Sequence, residues 1–198
     1  MSDQKRPYKM KRRAEAEAQT RRRITESAVA LHGSLGPAHT SMKAVADHAG
    51  VPRSTVYRHF PDEQALFGAC SAHWAAENPP PDVTAWERLE DPSERLVVGL
   101  GELYAYYRGA GAMLDKLLRD EATVPMVAEL FAPYHQFMAA VTEILMRGRG
   151  LRGKARVRVR AAIGHAISFP AWQQLTGEGG LSDEDAAELM RRLVAAAG

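Results

Sequence analysis

Cysteine is almost missing from the chain: Cys70 is the only one in 198 residues. A single thiol closes no internal disulfide, so a disulfide-stapled scaffold is excluded and a reducing compartment, the cytoplasm, is expected. Long hydrophobic runs are missing too. No stretch reaches the roughly 18 apolar residues of a membrane span, and no signal-peptide core follows the basic N-terminus, so no membrane partner is expected. The chain has no HExxH, no CxxC and no paired-carboxylate spacing, and neither His135 nor His165 has a ligand four residues on, so neither metal nor cofactor is expected. Strand-type alternation is confined to residues 156–160, and without a partner strand that segment is assigned to a helix.

Charge is present in both signs but unevenly placed. The net charge is +2. Residues 1–60 hold 12 Lys/Arg against 5 Asp/Glu, a balance of +7, and residues 61–198 hold 14 against 19, a balance of −5. A basic front end on a mildly acidic body fits a small nucleic-acid-binding domain joined to a larger one. The step falls at Phe60, inside "GVPRSTVYRHFPDEQALF", which begins at Gly50.

Helical spacing with clear caps runs along the rest, and an all-α fold of about nine helices is expected. Residues 1–13, "MSDQKRPYKMKRR", lack apolar periodicity and read as a disordered basic arm with either no contact or phosphate contact. Residues 14–67 read as the DNA-binding domain and 68–198 as a helical bundle. From Ala14, Ile24, Ala28 and Leu31 mark one helix that ends at Gly33. Ser41 caps a second over "MKAVADHA", which Gly50 stops. Pro52 suits the first turn of a third, whose buried side is Val56 and Phe60. Asp62 caps a fourth with Leu66, Phe67, Cys70 and Trp74 as its apolar face. "ENPPPD" (77–82) is a connector. In the body, Asp91 and Pro92 open a helix striped by Leu96, Leu100, Leu103 and Tyr107. "AMLDKLLRD" reads as a separate short helix, Pro133 should kink or split the helix that holds it, and Ser182 caps the last one.

A short helix ending in Gly, a tight turn and a second short helix with polar residues outward is the helix-turn-helix arrangement. With its flanks, "TSMKAVADHAGVPRSTVYRHFPDEQALF" resembles the DNA-binding region of the TetR family of transcriptional repressors, closely over residues 21–67; beyond them only length and helical character are similar. The resemblance implies a homodimer placing two such helices in successive major grooves of a near-palindromic double-stranded operator, with release controlled by a small-molecule effector in the body. Carried over by position, it implies that Lys43 and Arg53 reach base edges and that Thr55 lies near a base. Ser41, Ser54, Tyr57, Arg58 and His59 would mainly contact phosphates. Hydroxyls and cations suit a backbone that accepts hydrogen bonds. Each has a plainer use as well: solvated charge for the arginines, core packing for Tyr57, a packed or capping imidazole for His59, and a solvated helix start for Arg21–Arg23. One departure is Glu63, where the family commonly carries a phosphate-contacting Lys; an acid there favours the helix N-terminus instead.

In the body, Tyr104, Tyr107, Met113, Phe131, Tyr134, Met138, His165 and Phe169 are the candidates for lining a mostly apolar effector pocket, although each also serves a bundle core. An enzyme using His135 or His165 with Glu129 or Glu143 as acid–base groups is the competing reading, and the spacing of a catalytic set is missing. The seven basic residues of 147–160 read as a solvated loop and helix start, or as a contact for a partner subunit or anion. Ala161 and Gly164 permit close backbone approach, and Leu189 and Leu193 leave an apolar strip, so the last two helices are the expected dimer interface.

Overall fold

The computed structural model describes residues 5–198. The helices are α1 (Lys5–Ser34), α2 (Met42–Ala49), α3 (Arg53–His59), α4 (Glu63–Glu77), α5 (Val83–Trp86), α6 (Pro92–Asp120), α7 (Pro125–Met146), α8 (Gly153–Ala166), α9 (Phe169–Gln173) and α10 (Asp183–Ala196). A 3-10 turn (Pro37–His39) precedes α2, and a π turn (Gln174–Glu178) follows α9. Among the described residues there is no strand, and residues 156–160 lie in α8.

The chain forms two compact units: the stretch up to Glu77 with Asp115–Leu130, and Asn78–Leu114 with Phe131–Gly198. The expected boundary after residue 67 falls inside α4, which runs unbroken to Glu77. The arm expected over residues 1–13 is helical from Lys5, while residues 1–4 lie outside the described residues. The run after Met10 explains the early start: Ala14, Ala16 and Ala18 are strong helix formers, and Lys11 and Arg13 stand four residues before Glu15 and Glu17.

In the first unit, sequence caps set the boundaries. The Ser41 hydroxyl accepts from the Ala44 N–H (3.1 Å), and Gly50 closes α2 at φ 62, a left-handed position that glycine takes without cost. Pro52 stands one residue earlier than expected, as the N-cap of α3 rather than within its first turn. Asp62 caps α4 by accepting from the Ala65 N–H (2.7 Å). The core is built from Ile24 and Ala28 of α1, Val45 of α2, Val56 and Phe60 around α3, and Phe67 of α4, all at most 3% exposed. Burying six such side chains stabilises the unit by roughly 10 kcal/mol before chain entropy is subtracted.

The second unit is organised around α6. Asp91 caps it, its carboxylate accepting from the Ser93 (3.0 Å) and Glu94 (3.3 Å) N–H groups. Leu96, Leu100, Leu103 and Tyr107 are all buried, at four- and three-residue spacing. "AMLDKLLRD" is not a separate helix: α6 continues through Gly109 and Gly111 to Asp120. Two interior glycines cost about 1 kcal/mol each, and the burial of Ala110, Met113 and Leu114 around them outweighs that. Pro133 likewise leaves α7 unsplit, with its ring on the exposed side. The fully buried Trp86 donates from Nε1 to Glu102 (2.7 Å). Arg95, 3% exposed, donates to the carbonyls of Trp86, Leu89, Glu90, Ile144 and Arg147, tying the ends of α5 and α7 to α6. α10 is capped by Ser182, which accepts from the Asp185 N–H (3.1 Å).

Candidate nucleic-acid interface

The third helix owes its orientation to two anchors. Val56 and Phe60 are fully buried, while Arg53, Ser54, Tyr57 and Arg58 are exposed and Thr55 and His59 half-buried. A helix of seven residues that sinks one face this deeply presents a fixed polar row on the other. Tyr57 is 40% exposed, so it belongs to that row and not to the core. Its hydroxyl accepts from the Arg53 guanidinium (3.0 Å), which also lies 5.3 Å from the ring centroid. Arg53 is thereby held along the helix, with donors of its planar fork left over for an outside acceptor.

The neighbours of α3 divide into those already bonded and those still able to bond. Lys43 is exposed and pairs with Asp47 one turn on (2.7 Å). An exposed pair of this kind is worth under about 1 kcal/mol, so its ammonium can exchange the carboxylate for a stronger acceptor. Ser41 accepts as the cap of α2, which leaves its O–H proton to donate. His59 has Nε2 enclosed without a hydrogen-bond partner. Glu63 is exposed in the first turn of α4, where a negative charge complements the helix dipole.

Sequence reasoning missed Arg21. Its guanidinium donates to the His59 carbonyl (2.6 Å) and stacks 4.1 Å from the Phe60 ring centroid, closing the C-terminal end of α3. The signal was there: Arg21 stands three and seven residues before Ile24 and Ala28, on the buried stripe of α1. Asp120 was also missed, 82 residues from its partner. Its buried carboxylate accepts from the Ala38 N–H (2.9 Å) and the Arg119 guanidinium (2.7 Å). Burial pushes the Asp120 carboxyl up, but those two donors outweigh burial and hold it below the usual range. Gly36, at φ 93, lies so close that a Cβ would collide with Arg119 and Asp120.

The effector candidates fall in the second unit and are only partly brought together. Tyr104 and Tyr107 stack 6.3 Å apart, and Tyr107 meets Phe169 edge-on at 5.5 Å. Their hydroxyls donate to the Ala166 (2.8 Å) and Ile167 (2.5 Å) carbonyls, and burial pushes both phenols well up from their ordinary values. Tyr107 also reaches the Met138 sulfur (3.7 Å). Phe131 and Tyr134 form a second stack at 4.5 Å, Met113 is buried, and His165 faces solvent. For the acid–base alternative, Glu143 is taken by Arg160 (2.5 Å) and His135 is exposed. No group of three or more His, Cys, Asp or Glu able to hold a metal occurs among the described residues, and no helix there is long and apolar enough to cross a membrane. Along α8 and α10, Ala161 is exposed and Gly164 half-buried, Leu189 is 38% exposed and Leu193 is 50% exposed.

Comparison with known proteins places this geometry. Residues 24–70 match the bacterial regulatory proteins of the tetR family. No curated protein matches the chain. Among solved structures, a TetR-family transcriptional regulator from Mesorhizobium loti is 20% identical over 91% of this chain and 96% of its own (TM-score 0.61). A TetR-like regulator from a Rhodococcus species is 18% identical over 89% and 93% (TM-score 0.64). A transcriptional regulator from Saccharomonospora viridis, in complex with choline, is 19% identical over 90% and 96% (TM-score 0.57). Residues 24–70 thus match the model of the tetR family of bacterial regulatory proteins, and the chain has the fold of TetR-type transcriptional regulators.

Proposed function

We propose that the protein is a cytoplasmic, dimeric repressor that binds a near-palindromic operator and is released by a small molecule held in its second unit. The observation that carries the DNA reading is the row Arg53, Ser54, Tyr57 and Arg58, exposed on a helix anchored by Val56 and Phe60. In the major groove, Arg53 donates bidentately to guanine O6 and N7, Lys43 reaches a neighbouring base edge, and Thr55 offers its methyl or hydroxyl to a base. Ser41, Ser54, Tyr57, Arg58 and His59 set the register through phosphates. Two copies joined through Ala161, Gly164, Leu189 and Leu193 would offer two α3 helices to successive major grooves, which lie about 34 Å apart on the duplex.

The effector is an apolar or aromatic small molecule, taken between Met113, Phe131, Tyr134, Met138 and Phe169, with the exposed His165 at its solvent edge. Tyr104 and Tyr107 form its rigid wall, because their hydroxyls are already bonded to backbone. The regulator of the same fold that holds choline supports an effector of small-molecule size.

The test begins with selection of bound sequences from a random duplex library. A palindrome with half-sites about 10 base pairs apart is expected. Arg53→Ala should weaken the selected site by roughly 1–3 kcal/mol, about 5- to 150-fold, and relax preference at one guanine of each half-site. No enrichment of any sequence would overturn the reading. Leu189→Glu with Leu193→Glu should give monomers in sedimentation and abolish tight operator binding.

A further inference from the structure

From Met10 to Arg23, α1 is exposed along its length and touches the rest of its unit through Arg21 at its C-terminal end. Between Met10 and Arg23 only Thr20 is even half-buried, Tyr8 and Met10 are 62% and 70% exposed, and the buried face begins at Ile24. Fourteen residues of helix span about 20 Å. This segment extends as a lone helix from the point where Arg21 meets the end of α3, its guanidinium on the His59 carbonyl at 2.6 Å.

Its charge is as unusual as its exposure. Residues 5–13 hold six basic residues and no acid, and the first turn of α1 has none either. Cations at a helix N-terminus oppose the helix dipole, and an isolated helix of this length is marginal in water. Packing does not account for the arrangement, and the favourable spacing of Glu15 and Glu17 still leaves two acids against six cations between Met10 and Arg23. Lys11, Arg13 and Arg23 make no side-chain hydrogen bond or ion pair with any described residue, and Arg12 only lies over the Tyr8 ring at 5.9 Å. A nearby polyanion would reverse both penalties. A lipid surface fits poorly, because the only large exposed apolar side chains are Tyr8 and Met10, and from Lys11 to Arg23 there are only Ala14, Ala16 and Ala18, too few for an apolar face that could insert.

We propose that residues 10–23 form a second DNA-binding element, which contacts phosphates flanking the bases read by α3 and is indifferent to their sequence. The proposal rests on the DNA-binding reading of α3 and adds to it. Each phosphate neutralised releases counterions, so the element sets the salt dependence of binding more than its base preference.

The experiment uses the full chain and its triple variant Lys11→Ala, Arg12→Ala, Arg13→Ala. Both are measured on a selected operator in a duplex of about 50 base pairs, and on the same operator trimmed to the bases under α3. Because these side chains bury nothing, the variant should melt within about 2 °C of the parent. On the long duplex the slope of log affinity against log salt should shrink by about 2 to 5, from roughly 0.9 per contact over two protomers. Affinity near 0.15 M salt should fall at least about 10-fold. On the trimmed duplex the two proteins should agree within about 3-fold. An unchanged slope on the long duplex overturns the proposal, as does an equal loss on both duplexes, which would place the cations over the recognised bases. Arg53→Ala separates the two readings: it should alter base preference while leaving the slope within about 1 of the parent. If the parent retains no duplex at all, the DNA-binding reading fails, and this element with it.

Discussion

Acid should disarm the DNA-binding unit through one buried histidine. His32 is 6% exposed, with Nδ1 3.3 Å from the Cys70 sulfur and the Phe67 ring edge-on at 5.2 Å. Burial lowers its pKa to about 4, against a weaker upward pull from Asp120. The Cys70 thiol offers no compensating charge, since burial pushes it up to about 12. An unfolded chain protonates the same imidazole near 6.5, so between pH 6.5 and 4 the unfolded state binds more protons and stability falls with falling pH. The contribution is complete above pH 6.5. It declines by about 2 kcal/mol at pH 5 and saturates at about 3 kcal/mol below pH 4. Urea unfolding of the parent and of His32→Gln across pH 7.5 to 4.5, followed by a probe in the DNA-binding unit, isolates the term. The difference between the two should close by about 2 kcal/mol from pH 7 to 5 as the parent loses its histidine contribution. Parallel pH profiles would refute the reasoning, because they would mean that His32 is protonated in the fold as easily as outside it.

Three further substitutions test contacts that the fold depends on. Gly36→Ala forces a Cβ at φ 93 into the Arg119 guanidinium and the Asp120 carboxylate, and should cost about 2–4 kcal/mol in urea unfolding of the first unit; a loss under about 1 kcal/mol would show that this close approach can relax. Asp120→Ala leaves the Ala38 N–H without its acceptor and should cost about 1–3 kcal/mol in the same measurement, the penalty for an orphaned donor. Arg95→Met empties a buried site in which five carbonyls share one guanidinium and should cost about 3–5 kcal/mol, with Arg95→Lys recovering only part because an ammonium lacks the planar fork. Equal stability of Arg95→Lys and the parent would mean that charge alone matters at that position.

Whether a feature of this protein could be read from sequence depends on the range of the interaction behind it. Ser41, Gly50, Asp62, Asp91 and Ser182 act within four residues, and each stands where its side chain or its φ suggested. The outward row of α3 was legible for the same reason: Val56 and Phe60 are one turn apart, and their burial orients every residue between them. Errors arose where local preference and tertiary burial disagree. Gly109 and Gly111 argue for a break in α6, but the side chains around them are worth more buried than two glycines cost. The start of α1 went the other way, since Met10 to Arg13 are exposed and only helix propensity and charge spacing were available to extend it. Asp120 lay out of reach altogether, because nothing near residue 120 announces an acceptor for the backbone at Ala38. Gly36 beside it was the one trace, a glycine whose missing side chain makes room for a residue 84 positions away. Arg21 falls between these cases. Its place on the Ile24–Ala28 stripe was readable, but its stacking on Phe60 required knowing that α1 and the end of α3 meet. The polar row of α3 is therefore legible as chemistry before all of its support is, because that support includes, beside Val56 and Phe60, Arg21, a residue that charge alone assigns to solvent.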